Sequence, residues 1–296
     1  MSTPRLWLIC EEHVPGWLPA ALSDTEMRKK AQERPAGHAL YPVTANGTAI
    51  ISVLGPMQKG RDIWMDLFGG TSSEDAREAV VLATADPDVD AIFLRIDSPG
   101  GEVAGVEELG DAVYRARKVK PVAAHGEDMM ASAALWVGAQ ADTVTANKTA
   151  AVGSVGTVAV LPDTSEAWAA HGITWHVVSS GEYKGLLHEA EITDKALAYV
   201  QEQVDELAGQ FFSALKRGRG MTAGQVAAVS DGRVYGATRA QELGLIDAVM
   251  GRDDAFAALE KRGRANRTTR LEKARRAVGR RQARLGAALK RARRRL

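Results

Sequence analysis

The chain has 296 residues, 45% apolar and 25% charged, enough to bury the core of one large or two modest domains and too apolar for a disordered chain. Its net charge of +1 conceals an asymmetry: residues 261 to 296 carry 16 Lys and Arg against one acid, Glu272, so the body stands near −14 and the tail near +15. Cys10 is the only cysteine, which excludes an internal disulfide and any zinc site built mainly from thiolates.

Residues 1 to about 37 mix Pro, Glu and Lys with scattered Trp7 and Trp17, and read as an irregular or partly helical lead-in. The five apolar residues Leu6 to Cys10 are too few for a signal peptide, and charge-free runs such as Thr149 to Pro162 are too short to span a membrane. A soluble, non-secreted protein in a reducing compartment is expected, with no membrane partner. Gly47 to Gly55 is a β-branched run between glycines, the pattern of a buried strand. Thr71 and Glu74 then stand in capping-box spacing ahead of a helix that stops before Pro87.

Asp90 to Asp97 predicts a second buried strand, SPGG a turn, and Val103 to Val119 a helix with basic residues in its last turns. Pro121 to His125 predicts a strand, Glu127 to Asp142 a helix, and Asp142 to Ala146 and SVGTVAV further strands. SEAWAAHG reads as a helix and ITWHVV as a strand; beyond Ile192 the chain reads as helical, with a last short strand at LIDAV. Short apolar strands alternating with helices imply an α/β fold whose mainly parallel sheet is covered on both faces. Composition shifts abruptly near Arg252 to Lys261, and the chain is read as a lead-in over 1–40, a main domain over 41–252 and a basic tail over 253–296, expected to be a separate module.

The run EDMMASAALWVGAQAD places a single hydroxyl, Ser132, among residues that otherwise only pack. A serine beside helix N-terminal amides, which lack intrahelical partners, is well placed to generate an oxyanion, although a serine there can equally be a simple cap. DSPGG, Asp97 to Gly101, stands at the carboxyl end of a predicted strand, where open α/β sheets bind ligands. Its paired glycines expose backbone amides, while GGEVAG lacks the spacing of a dinucleotide fingerprint. MASAA is not a G-x-S-x-G elbow. No histidine falls between Ser132 and Ala170; His125, His171, His176 and His188 read as surface or structural residues, and HEAEI fails the zinc motif at Ile192. Lys184, in SSGEYKGLLHEAE, is a candidate base beside apolar neighbours. A lysine in that role must be neutral, so its ordinary value of about 10.4 has to fall to about 7 or 8 by desolvation.

Together, DAIFLRIDSPGGEVAG, DMMASAALWVGAQAD, AVGSVGTV and SGEYKG resemble, in order and spacing, the signal peptide peptidase A (protease IV) family of serine peptidases, and within it the bacteriophage branch that matures capsids. The resemblance spans about Gly47 to Met250 and implies a ClpP/crotonase-type spiral of ββα units. It implies Ser132 as nucleophile, Lys184 as general base, Ser154 as the residue orienting the lysine, and backbone amides of Gly101, with Gly100 beside it, and of Ala133 as the oxyanion hole. Asp97 and Ser98 are expected to shape the turn. No cofactor and no metal are implied. The expected substrates are scaffold, capsid or portal proteins, met in the host cytoplasm inside a procapsid, by an enzyme that forms a homo-oligomer. A-S-A stands where many relatives have A-S-G.

Two other readings fit the sequence. Glu102 suggests acyl-CoA hydration or isomerisation on the related crotonase fold, though it leaves Ser132 and Lys184 unexplained; a non-catalytic capsid assembly or scaffolding protein is the other. The tail carries a weak heptad stripe, Leu271, Val278, Leu285 and Ala292. Its charge suits an acidic protein surface or a nucleic-acid backbone, and the lack of aromatic residues after Phe256 disfavours base stacking.

Overall fold

A computed structural model describes residues 6–9, 40–61, 65, 69–188 and 191–293. Leu6–Ile9 forms a strand, β1; residues 1–5 and 10–39 of the expected lead-in, Cys10 among them, lie outside the described residues. The β-branched run Thr48–Leu54 is β2, followed by β3 (Met57–Gln58) and β4 (Thr71–Ser72). The cap of the next helix, α1 (Ser73–Ala85), falls one residue later than the spacing predicts: Ser72 Oγ accepts from the Asp75 amide at 3.1 Å. Thr71 is engaged elsewhere, its hydroxyl accepting from Leu54 N at 2.7 Å and donating to Leu54 O at 2.9 Å.

The chain continues through β5 (Ala91–Ser98), β6 (Gly100–Glu102), α2 (Val106–Ala116), β7 (Val122–Ala131), α3 (Ala133–Gly138), β8 (Thr143–Ala146), β9 (Ala151–Gly153) and β10 (Val158–Ala159). After α4 (Ser165–Ala170) it runs through α5 (Asp194–Arg219), α6 (Ala223–Ala227), β11 (Val234–Gly236), α7 (Ala237–Glu242), β12 (Ala248–Val249) and α8 (Arg252–Arg293). The larger sheet has the order β11-β9-β7-β5-β2, with β8 branching from β7 and β12 pairing on β8. Its pairs are parallel except β9 with β11, which is the mainly parallel α/β class expected.

Four local expectations are corrected. The helix predicted over Glu127 to Asp142 is confined to Ala133–Gly138, because Met129, Met130 and Ala131 pair with β9 and extend β7 instead. The glycine turn opens directly into strand β6. Only Val158–Ala159 of SVGTVAV is a strand. ITWHVV forms none and is exposed throughout, with no strand pairing among the described residues.

Helices α1, α2 and α3 cover one face of the sheet, burying Ala79, Val80, Ala83, Leu109, Val113 and Leu135 against Ile51, Leu94 and Ile96. Long helix α5 packs on α3, with the rings of Trp136 and Phe211 stacked at 5.1 Å. The other face is closed by the first turns of α8, whose Ala255 and Leu259 are buried with Ala91, Phe93 and Ala123. Arginines of α8 also reach acids of the body: Arg252 to Glu127 (3.1 Å), Arg262 to Asp142 (3.7 Å), and Arg267 and Arg270 to the buried Asp90 (3.3 and 3.7 Å). The basic segment from residue 253 therefore begins as a docked part of the fold, because one face of its first turns is apolar. Leu271 and Val278 of the heptad stripe are exposed, and the side chains of Leu285 and Ala292 lie outside those described.

Candidate active site

Three parallel strands end side by side. Within the β5–β7 ladder Ser98 stands opposite Met130, and within the β7–β9 ladder Ala131 stands opposite Gly153. The residues that follow, Gly100, Ser132 and Ser154, are therefore neighbours at the carboxyl edge of the sheet, and α3, which starts at Ala133, packs against β6. This convergence depends on the irregularity in β7, where the register shifts after the pair Ile96–Gly126 and resumes at Ser98–Met130. The extra residues re-aim the second half of β7 from β8 toward β9.

Ser132 holds φ 51° and ψ −119°, a backbone conformation costly for any residue with a Cβ. Its amide donates to Gly153 O at 2.8 Å and its carbonyl accepts from Trp136 N at 2.9 Å, so strand and helix together impose the conformation. The hydroxyl is completely buried and has no hydrogen-bond partner among the described residues. A buried hydroxyl left without a partner costs about 1–3 kcal/mol, which a purely structural serine would avoid. Ser154 also has positive φ, 53°, is nearly buried, and donates its amide to Arg233 O at 2.8 Å.

The glycine turn is equally constrained. Gly100 has φ 94° and donates its amide to Ser98 Oγ at 3.2 Å, while Ser98 Oγ donates to Gly55 O at 2.6 Å. Asp97 accepts the Met129 amide on its carboxylate at 3.1 Å and the Gly55 amide on its carbonyl at 2.8 Å. Both residues thus shape the turn. A Cβ on Gly101 would lie 1.8 Å from Met57 O, so glycine is required there by the close approach of β3. As the first residue of α3, Ala133 has an amide that the helix itself leaves unpaired.

Lys184 is exposed, unlike the buried serines of this cluster. It lies in a turn before the single-turn helix Leu186–His188, its amide donating to Gly181 O at 3.1 Å, and its side chain is exposed. Its ammonium makes no hydrogen bond to the Ser132 hydroxyl. His125 is buried on β7, with Nδ1 2.8 Å from Thr145 Oγ1 and Nε2 3.1 Å from Asn147 Oδ1; burial lowers its pKa, and both ring nitrogens are engaged. Sequence reading missed Lys120, a buried lysine whose pKa burial pulls down to about 8. Its Nζ donates to Ala83 O at 2.7 Å and to Asp86 O, and it precedes β7, whereas Ser132 follows the opposite end of that strand. Sequence reading also missed the anchoring of Ser154 by Arg233, 79 positions away, for which no one-dimensional signal exists. Among the described residues no group of acids, histidines or cysteines is arranged to hold a metal, and no helix is long and apolar enough to cross a membrane.

A parallel α/β sheet that converges on one strained, buried serine hydroxyl belongs to the class of scaffolds on which serine hydrolases are built. The chain belongs to peptidase family S49, whose family model matches residues 115–266. It is 29% identical to the candidate protease slr0021 of Synechocystis over 63% of this chain and 69% of that protein. It is 27% identical to capsid assembly protease C of Escherichia phage lambda over 72% of this chain, and spans about half of that relative's length, 49%. Among solved structures, a ClpP1 mutant from Listeria monocytogenes aligns with 71% of this chain and 94% of its own at 14% identity, with a TM-score of 0.44.

Proposed function

We propose that the chain is a serine endopeptidase acting through a Ser132–Lys184 dyad. The observation that carries this reading is the strained, buried and unbonded Ser132 hydroxyl standing between the glycine turn and Ser154. Neutral Lys184 takes the Ser132 proton as Oγ attacks a peptide carbonyl, and the amides of Gly101 and Ala133 receive the developing oxyanion. The lysine returns that proton to the leaving amine, and water then attacks the acyl ester by the same route. Ser154 orients the lysine amine. Every proton in this cycle moves among these side chains, the substrate and water.

Lys184 is exposed in the single chain, and so is the apolar face beside it, with Ile173, Trp175, Val178 and Tyr183 all open to solvent. A face of this kind marks an association surface. In the proposed enzyme, self-association covers it, and this dries the lysine and completes the site. The likeness to a capsid assembly protease of phage lambda supports proteins of an assembling capsid as the substrates, and we take scaffold, capsid or portal proteins, met in the host cytoplasm within a procapsid, as the proposed set. The exposed arginines of α8 beyond its docked turns would recruit the enzyme there through acidic protein or nucleic acid.

Co-expression with the neighbouring capsid proteins tests the assignment. Wild type is expected to process them, while Ser132→Ala and Lys184→Ala lose at least about a thousandfold in rate with folding unchanged. Processing that survives both substitutions rules the dyad out; a wild type that processes nothing points to a non-catalytic assembly role. Activity is also expected to fall as pH is lowered and the base becomes charged, and a flat profile from weakly acidic to alkaline pH contradicts it.

A further inference from the structure

The smaller sheet has the order β10-β1-β6-β3-β4, so β1 lies between β10 and β6. It is antiparallel to both: Leu6 and Trp7 stand opposite Ala159 and Val158, and Trp7, Leu8 and Ile9 stand opposite Glu102, Gly101 and Gly100. These two neighbours continue the strands that flank the nucleophile. β6 begins at Gly100, two residues beyond Ser98 of β5, and β10 begins four residues after Ser154, which follows β9. A strand that bridges β6 and β10 therefore crosses the carboxyl edge of the larger sheet, where Ser132 stands between Gly100 and Ser154. Without it, the glycine strand would be an open edge facing the serine, ready to pair with an incoming backbone.

We infer that this chain's own segment Leu6–Ile9, paired between β6 and β10, is a resident occupant of the site that a peptide substrate must displace. The inference rests on the peptidase reading for the word substrate, but the occupancy stands on the strand pairing alone. The pairing also sets polarity. The occupant runs antiparallel to β6, and its end nearest the nucleophile is its carboxyl end, because Ile9 is opposite Gly100, the β6 residue closest to the Ser98–Met130 register. Recognition is by backbone addition to an edge, which fits an extended peptide and not a helix. A substrate must displace β1, which makes the segment a built-in brake.

The test uses the full chain carrying Ser132→Ala, so that no cut can remove the strand, with and without Leu8→Pro. Proline lacks the amide and fixes φ, and so breaks the pairing at its centre. Hydrogen exchange at 100–102 and 158–159 is expected to be at least about tenfold faster in the proline variant, with β5 and β7 unchanged as the control for folding. A synthetic peptide spanning Thr3 to Glu12 is expected to restore protection when added to that variant. Equal exchange in the two chains, or no effect of the peptide, overturns the proposal. With Ser132 intact, Leu8→Pro is expected to raise turnover of an added fluorogenic peptide. Altered exchange in a chain that cleaves nothing would sink the peptidase reading and leave the occupancy standing; unaltered exchange in a chain that cleaves peptides would do the reverse.

Discussion

At Ser132 the cost of the site is concentrated in one backbone conformation. With φ at 51° and ψ at −119°, glycine would relieve a strain of about 1–3 kcal/mol, partly offset by the entropy glycine adds to the unfolded chain. Ser132→Gly is therefore expected to raise the midpoint of thermal unfolding while removing activity; a lowered midpoint would show that the hydroxyl stabilises the fold. Lys120 has a separate, pH-dependent part. Its folded-state pKa of about 8 lies below the ordinary 10.5, so between those values the unfolded chain binds more protons and stability rises with pH, by at most about 1.4 kcal/mol per unit. Lys120→Met is expected to abolish that rise in denaturant titrations between pH 8 and 10.5, and an unchanged slope would refute it. Ser132 was legible as an isolated hydroxyl in an apolar run. Lys120 was not, because burial of a lysine depends on which carbonyls the fold brings around it.

Among the elements, β6 controls the site. It accepts β3 on one side and β1 on the other, and a methyl group at Gly101 would collide with the Met57 carbonyl. Gly101→Ala is expected to destabilise the chain by several kcal/mol, by analogy with the larger packing penalties of about 1–3 kcal/mol or more, and to reduce kcat more than the stability loss explains. A soluble, fully active variant would mean that β3 yields easily. The SPGG glycines were legible as amide-exposing residues, but their strand character was not, since it comes from partners more than 40 positions earlier in the chain. The reassignment of Met129 to Ala131 from helix to strand has the same cause. Small and apolar residues suit either state, and pairing with β9 decided between them.

For the whole molecule, the apolar face over residues 173–184 and the exposed Lys184 make the single chain an incomplete enzyme on the proposed reading. Specific activity is then expected to rise with protein concentration together with molecular mass in light scattering, and Val178→Asp to suppress both. Full activity in a strictly monomeric species would contradict it. The charge asymmetry has a partly internal resolution: Arg262, Arg267 and Arg270 pair with acids of the body.

The sequence by itself determined the α/β alternation, the nucleophile candidate, the glycine turn and the split in charge, because each is written in local periodicity or in residue types within a few positions of one another. Tertiary structure decided which strand ends meet at Ser132, that α8 docks before it leaves the body, and that Leu6–Ile9 lies between β6 and β10. Those are choices among backbone edges and apolar faces of similar local character, and only long-range pairing and burial distinguish them.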